Sequence, residues 1–235
     1  MNDPILKVNK LNVKFNVTNV IRDLNFEIKK GTMSAIVGPN GAGKTVLFRA
    51  LLGLIDYKGE ISWQKDAKIS YVPQRLTIER DLPLSVYEFF KFKTSSDEKI
   101  YDVLEAVGFK GDEHHLKHHV LSSLLGTLSG GELQRILIGW SMLGEPNVLL
   151  FDEPTSGIDI GGEETIYHFL HELHKKYDLT IVFITHDIHI VYEYADLVIC
   201  LNKTMICSGQ PQQALSPEIL VKLFGHSGVY AHAHK

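Results

Sequence analysis

Cysteine is scarce in this chain: only Cys200 and Cys207 occur in 235 residues. They lie in a strand-turn-strand segment around Asn202-Lys203 and carry no metal-binding spacing, so they read as packing residues without a function. No apolar run approaches the roughly 18 residues of a membrane span, and the N-terminus lacks a charged-then-apolar signal pattern. The expectation is a cytoplasmic chain. Excess positive charge is missing as well: the net charge is −4, which argues against a nucleic-acid partner. Internal repeats, low-complexity linkers and a second set of motifs are also absent. What remains, 44% apolar and 22% charged residues, describes a soluble globular chain long enough for a substantial core.

Against that background one octapeptide stands out. Gly38, Pro39, Asn40, Gly41, Ala42, Gly43, Lys44 and Thr45 match G-x-x-x-x-G-K-[ST] between a strand-like run, Met33 to Val37, and a helical pattern, Val46 to Leu52. A polyphosphate needs several N–H donors converging on its oxygens. Glycines let the backbone approach without Cβ clashes, and the helix opening at Gly43 adds its positive end. Lys44 supplies a mobile cation and Thr45 an oxygen for Mg²⁺. By itself this loop says only that a nucleotide phosphate binds.

Three strand ends narrow the chemistry. Val148 to Phe151 is a buried-strand run closing on Asp152 and Glu153, which brings two acids to the carboxyl edge of a parallel sheet beside the phosphate loop. Asp152 is placed for a Mg²⁺ shell, and Glu153, pointing elsewhere, for polarising an attacking water. Thr180 to Thr185 ends in His186, at the same edge, where a γ-phosphate contact would position that water. Gln74 follows the strand-like Ile69 to Val72, and its amide suits the metal or the water; as a residue in isolation it reads equally well as a loop glutamine. Ser129, Gly130 and Gly131 open the amphipathic stretch Glu132 to Leu143 and make a second anion-binding helix start.

The order of these motifs resembles that of the nucleotide-binding subunits of ATP-binding cassette (ABC) transporters, over nearly the whole length. The resemblance implies one domain, 1–235, of α/β class: a P-loop NTPase (RecA-like) core, a mainly antiparallel β lobe at 1–30 and an inserted helical subdomain at 75–128. The segment 129–235 would return through the signature helix to the core and a C-terminal helix and tail. It further implies ATP and Mg²⁺ as ligands. Phe15 would stack on adenine, with Gly38 to Thr45 around the phosphates and Ser129, Gly130, Gly131 as the signature. Thr45, Gln74 and Asp152 would serve the magnesium, Glu153 and His186 catalysis, and Asp159 the D-loop. Partners implied are a second copy, bound head to tail by ATP, membrane permease subunits and, indirectly, a metal-binding protein outside the membrane. The protein would sit peripherally on the inner face of the membrane. Tyrosine is commoner in the family where Phe15 stands, but phenylalanine keeps the π face. Gly139-Trp140-Ser141-Met142 departs further from the usual Ala-Arg-Ala-Leu and puts helix packing there in question.

Leu82-Pro83-Leu84-Ser85-Val86 and Ser156-Gly157-Ile158-Asp159 resemble the corresponding segments of bacterial zinc-importer and other metal-importer ATPases, which implies uptake of zinc, with manganese next and a metal chelate as the alternative. A soluble assembly ATPase serving iron–sulfur biogenesis and a non-hydrolysing regulatory module are the competing classes. Local patterns add four expectations. Ile5 to Ile28 alternates like two strands with a turn near Asn16 to Asn19, and Ser95-Ser96-Asp97-Glu98 reads as a capping box before Ile100 to Val107. A helix from about Gly161 to Tyr177 presents Ile166, Phe169, Leu170 and Leu173 on one face, leaving His168 and His171 solvated. Of the 12 histidines, His114, His115, His118 and His119 have the i, i+4 spacing that pairs imidazoles on a helix, and His226, His232 and His234 lie near or in the tail.

Overall fold

The computed structural model describes residues 3–74, 76, 78–153 and 160–225, with the backbone alone for 160–165. Two alternating runs open the chain. They form strands β1 (Pro4–Phe15) and β2 (Thr18–Lys29), paired antiparallel with Phe15 opposite Thr18. The pairing is bulged: Lys10 and Asp23 have positive φ, and the side chains of Asn25 and Asn12 accept hydrogen bonds from their N–H groups at 2.7 and 3.0 Å. A third strand, β4 (Lys58–Trp63), joins this sheet in the order β2-β1-β4.

β3 (Met33–Val37) starts the second sheet and feeds helix α1 (Lys44–Leu51). The remaining strands are β5 (Ile69–Val72), β6 (Val148–Asp152), β7 (Thr180–Ile184), β8 (Leu197–Asn202) and β9 (Thr204–Gly209), and their order is β5-β6-β7-β3-β8-β9. All neighbours pair parallel except the β8–β9 hairpin. Every residue of β3, β6 and β7 is buried, as strands covered on both faces must be. Their side chains alternate between two cores. Val148, Leu150, Val182 and Ile184 pack with α1 and the antiparallel sheet. Leu149, Phe151, Ile181 and Phe183 pack on the other side with the helices.

Between β5 and β6 the chain is helical: α2 (Val86–Lys91), α3 (Asp97–Ala106), α4 (Glu113–His115) running into a π-helical turn (Leu116–Leu121), a 3₁₀ turn (Leu125–Thr127) and α5 (Gly130–Met142). The capping box expected at Ser95–Glu98 does not form. Ser96 is the N-cap of α3 and accepts from Lys99 N–H, but position N3 is that lysine, which cannot return the bond. Complete boxes stand instead at Ser85/Glu88 before α2 and Ser129/Glu132 before α5. Packing answers the question raised by Gly139-Trp140. Trp140 stacks on Phe89 at 5.3 Å, donates from Nε1 to its carbonyl oxygen at 3.2 Å, and carries Lys93 over its ring at 4.0 Å.

After β6, helix α6 (Ile160–Tyr177) buries Ile166, Leu170 and Leu173 with Phe169 half-buried beside them. His168 is exposed, but His171 is not solvated as expected: its ring packs 5.5 Å from that of Tyr194 in α7 (Ile188–Tyr194), and burial pulls its pKa down. The chain closes with α8 (Pro211–Ala214) and α9 (Pro217–Phe224). Cys200 and Cys207, read as separate packing residues, face each other across the β8–β9 register and are joined as a disulfide. A turn placed to within a residue or two does not reveal register, so their pairing was invisible in the sequence.

Candidate functional site

The core sheet delivers four of the singled-out segments to one edge. β3 ends at Gly38, β5 at Pro73-Gln74, β6 at Asp152-Glu153, and β7, lying between β6 and β3, at Thr185-His186. Loops at the carboxyl ends of parallel strands are where such sheets bind ligands. A cleft of about 280 Å³ opens here, lined by residues 40 to 46 together with Val20, Gln74 and Glu153.

The loop's shape follows from its glycines. A Cβ on Gly38 would stand 2.0 Å from the carbonyl oxygen of Leu201, so the neighbouring strand β8 admits no side chain at that position. Gly43 has φ +100 and caps α1 without any side-chain hydrogen bond, which leaves the helix's first N–H groups to be met by an anion. The loop is tied down behind: Lys203 N–H donates to the Ala42 carbonyl at 2.9 Å, and Arg22 N–H to the Lys203 carbonyl at 2.7 Å.

Charge is concentrated at its mouth. Lys44 is only 7% exposed and folds back to donate to the carbonyl oxygens of Gly38 (2.8 Å) and Pro39 (3.2 Å). Burial lowers its pKa, and the carboxylates of Glu153, 3.7 Å away, and Asp152 hold it up in part. Glu153 sits at φ +43, a left-handed conformation costly for a residue with a side chain, and its N–H donates to the Ile184 carbonyl at 3.1 Å. Its carboxylate accepts a hydrogen bond from the Gln74 amide, so Gln74, Glu153 and Lys44 form one polar chain across the cleft.

Asp152 is buried behind them. It accepts from the Thr45 hydroxyl and from the Tyr71 hydroxyl, both at 3.4 Å. Burial raises its pKa and, with the carboxylate's own charge, pushes the Tyr71 hydroxyl up to about 12. Tyr71 escaped the sequence reading, although it lies three residues before Gln74 in the strand that ends at the site. Thr45 and Asp152 make an all-oxygen donor pair with one carboxylate, the set Mg²⁺ prefers, so these residues fit that ion. Gln74, the third expected donor, is engaged with Glu153.

The other predicted residues lie further out. Phe15 is 46% exposed at the end of β1, in the hairpin whose second strand supplies Val20 to the cleft. His186 is exposed beyond β7. Ser129, Gly130 and Gly131 begin α5 and do not line the cleft of their own chain. Ser129 is engaged with Glu132 in a reciprocal cap: its N–H donates to the Glu132 carboxylate at 2.9 Å, and its hydroxyl accepts from Glu132 N–H at 3.3 Å. Asp159, with Ser156, Gly157 and Ile158, lies outside the described residues.

Known proteins agree with this construction. The ABC transporter family model matches residues 21–156, more than half of the chain. The zinc import ATP-binding protein ZnuC of Pseudomonas fluorescens (strain Pf0-1) is 34% identical over 240 residues, covering 100% of this chain and 89% of the relative. ZnuC of Pseudomonas aeruginosa (strain UCBPP-PA14) is 35% identical over 240 residues, covering 100% and 86%. Among solved structures, an inward-facing ABC transporter assigned to the metal-chelate type superposes with a TM-score of 0.82 at 27% identity, covering 95% of this chain and 89% of that one. A phosphate loop, two acids and a glutamine on one sheet edge, a serine-capped helix set apart, and full-length likeness converge on one conclusion: the chain belongs to the ABC transporter family.

Proposed function

We propose that this ATPase energises import of a divalent metal ion, zinc before manganese, through a membrane permease. The observation that carries the enzymatic part is the Gln74–Glu153–Lys44 chain spanning the mouth of the phosphate cleft. Full-length similarity to zinc import ATP-binding proteins carries the choice of cargo.

In this reading, loop N–H groups and the open start of α1 hold the phosphates, and Lys44 turns from the Gly38 and Pro39 carbonyls to the β- and γ-phosphate oxygens. Phe15 lies under the adenine. Thr45 and Asp152 hold Mg²⁺, which neutralises phosphate charge when bound, and the Tyr71 hydroxyl keeps the Asp152 carboxylate oriented. Glu153 accepts a proton from the attacking water, His186 positions that water against the γ-phosphate, and Gln74 reports its presence by exchanging its bond to Glu153.

The signature Ser129-Gly130-Gly131 does not reach the cleft of its own chain, which supports a head-to-tail pair in which each copy closes the other's nucleotide site, with Asp159 near the closure. Closure would be a lid-type motion that gates hydrolysis. For the permease, the region from Gln74 to about Phe92 contributes Leu76 and Phe89 to an apolar groove of about 200 Å³ completed by Tyr71, Val72, Pro73, Leu137 and Trp140. Leu76, on its wall, is 41% exposed, and Leu82 at 39%, Tyr87 at 37% and Phe92 at 74% are further exposed apolar side chains of the same stretch of chain, which suits a helix from a membrane subunit. Among the described residues no helix is long and apolar enough to cross a membrane itself. The protein then works on the cytoplasmic face, fed indirectly by a metal-binding protein outside.

The test is reconstitution with its permease in vesicles loaded with ATP. Uptake of radioactive Zn²⁺ that needs ATP and an intact Glu153 is expected. ATP hydrolysis with no uptake of zinc or manganese would overturn the cargo and leave the ATPase standing.

A further inference from the structure

The helical subdomain carries four histidines that the nucleotide chemistry does not use. His114 and His118 bring their ring centroids to 4.4 Å with planes 42° apart, and His115 and His119 to 4.8 Å with planes 32° apart. All four are exposed. They form two parallel rows along one short helical element, α4 and the π-helical turn that continues it.

The backbone under these rings is fastened at both ends. Asp112 caps the start by accepting from His115 N–H at 2.8 Å, while the Ser122 and Ser123 hydroxyls donate to the carbonyl oxygens of His118 and His119 at 2.7 and 2.8 Å. The His115 ring lies over Gly111, where an added Cβ would come within 2.6 Å of its Cδ2. Lys117, the cation between the two rows in sequence, lines a different cleft with Tyr87, Asp97 and Tyr101. Two imidazoles on a backbone fastened at both ends leave only side-chain rotation to be ordered when they chelate an ion. A tetrahedral ion with Zn–N bonds of about 2.0–2.1 Å spans nitrogens roughly 3.3 Å apart, which rings at these separations reach by rotation about their side-chain bonds.

We propose that each pair, His114 with His118 and His115 with His119, binds one borderline divalent cation of the zinc class, with water completing the coordination. Among the described residues no group of three or more His, Cys, Asp and Glu converges on a common point, so each site is a two-ligand, exchangeable one and not a structural centre. Imidazole selects Cu²⁺ and Zn²⁺ over Mn²⁺. The inference does not depend on which ion, if any, is transported.

The test is calorimetric titration of ZnCl₂ into the nucleotide-free full chain and into three full-length variants: H114Q/H118Q, H115Q/H119Q and all four together. Each pair removed should lower the zinc count by one ion, with unchanged melting in the absence of metal. A parallel variant with His226, His232 and His234, which lie outside the described residues, changed to Gln separates tail binding from helix binding. CuCl₂ should bind the helix sites more tightly than ZnCl₂, and MnCl₂ should give no helix-dependent heat. The two pair variants keep the test available should the fourfold change reduce the yield of folded protein. Equal zinc stoichiometry and affinity in the parent and the fourfold variant would overturn the proposal, and so would loss of zinc binding in the tail variant alone.

Discussion

Glu153 and Lys44 share one ion pair at the cleft, yet they should fail in different ways. Glu153→Gln keeps the shape and removes the proposed proton acceptor, so turnover should fall about 10²–10⁴-fold while ATP still binds, and the variant should accumulate as an ATP-bound dimer in size-exclusion chromatography. Wild-type turnover in this variant would remove Glu153 from its assigned role. Lys44→Ala should instead weaken nucleotide binding itself, read by fluorescent-ATP titration. Asp152 allows a prediction about stability. Its pKa is raised by burial, so its charged form costs stability in the folded protein at neutral pH. A carboxyl with a raised folded pKa contributes stability below its unfolded range near 3.9, and that contribution is lost as pH rises through the folded value. Asp152→Asn should therefore raise the melting temperature of the nucleotide-free protein at pH 7, by roughly 2–4 °C if the gain is about 1 kcal/mol. The gain should shrink on acidification, as Asp152 itself becomes neutral, and activity should be lost throughout. A lower melting temperature at pH 7 would show that Lys44 outweighs desolvation.

Two features of the elements are separable by substitution. Ser129 is the N-cap of α5, in a closed box with Glu132, and a lost cap of this kind costs about 1 kcal/mol. Ser129→Ala should thus lower the denaturation midpoint modestly, while abolishing ATP-dependent dimerisation if the same serine meets the partner's nucleotide. Modest destabilisation with unimpaired dimerisation would confine Ser129 to capping. Trp140 fastens α5 to α2 through its stack on Phe89 and its bond to the Phe89 carbonyl. Trp140→Ala should cost about 2–3 kcal/mol, read from urea unfolding, less than a fully buried tryptophan because its ring is only partly covered.

At the scale of the whole molecule the question is how nucleotide chemistry reaches a membrane partner. Gln74 bonds Glu153 at one end of a segment whose other end bears the exposed Phe92. Leu76→Glu, on the wall of the apolar groove, combined with Phe92→Glu, at the exposed end of this segment, should leave the basal ATPase of the isolated chain unchanged and abolish its stimulation by the permease, measured as phosphate release with and without the reconstituted partner. Full stimulation together with an intact complex would move the docking surface elsewhere.

Much of this was legible in one dimension, and the reason is locality. A phosphate loop is eight consecutive residues whose glycines and lysine act through their own backbone, and buried parallel strands announce themselves as short apolar runs, so Gly38 to Thr45, Asp152 and Glu153 could be read directly. Other properties depend on which strand lies beside which. The order β5-β6-β7-β3 decided that Gln74 meets Glu153 and that Tyr71 meets Asp152, residues 79 and 81 apart in the chain. Register across one hairpin set Cys200 opposite Cys207, and helix packing turned His171 from solvent toward Tyr194. The histidine spacing between 114 and 119 permitted imidazole pairs; only a helix capped by Asp112 and held by Ser122 and Ser123 brought the rings together. Short-range chemistry determines the motifs because each carries its own donors and conformational freedom, whereas contacts between motifs are decided by burial of the sheet's two faces, which no single segment encodes.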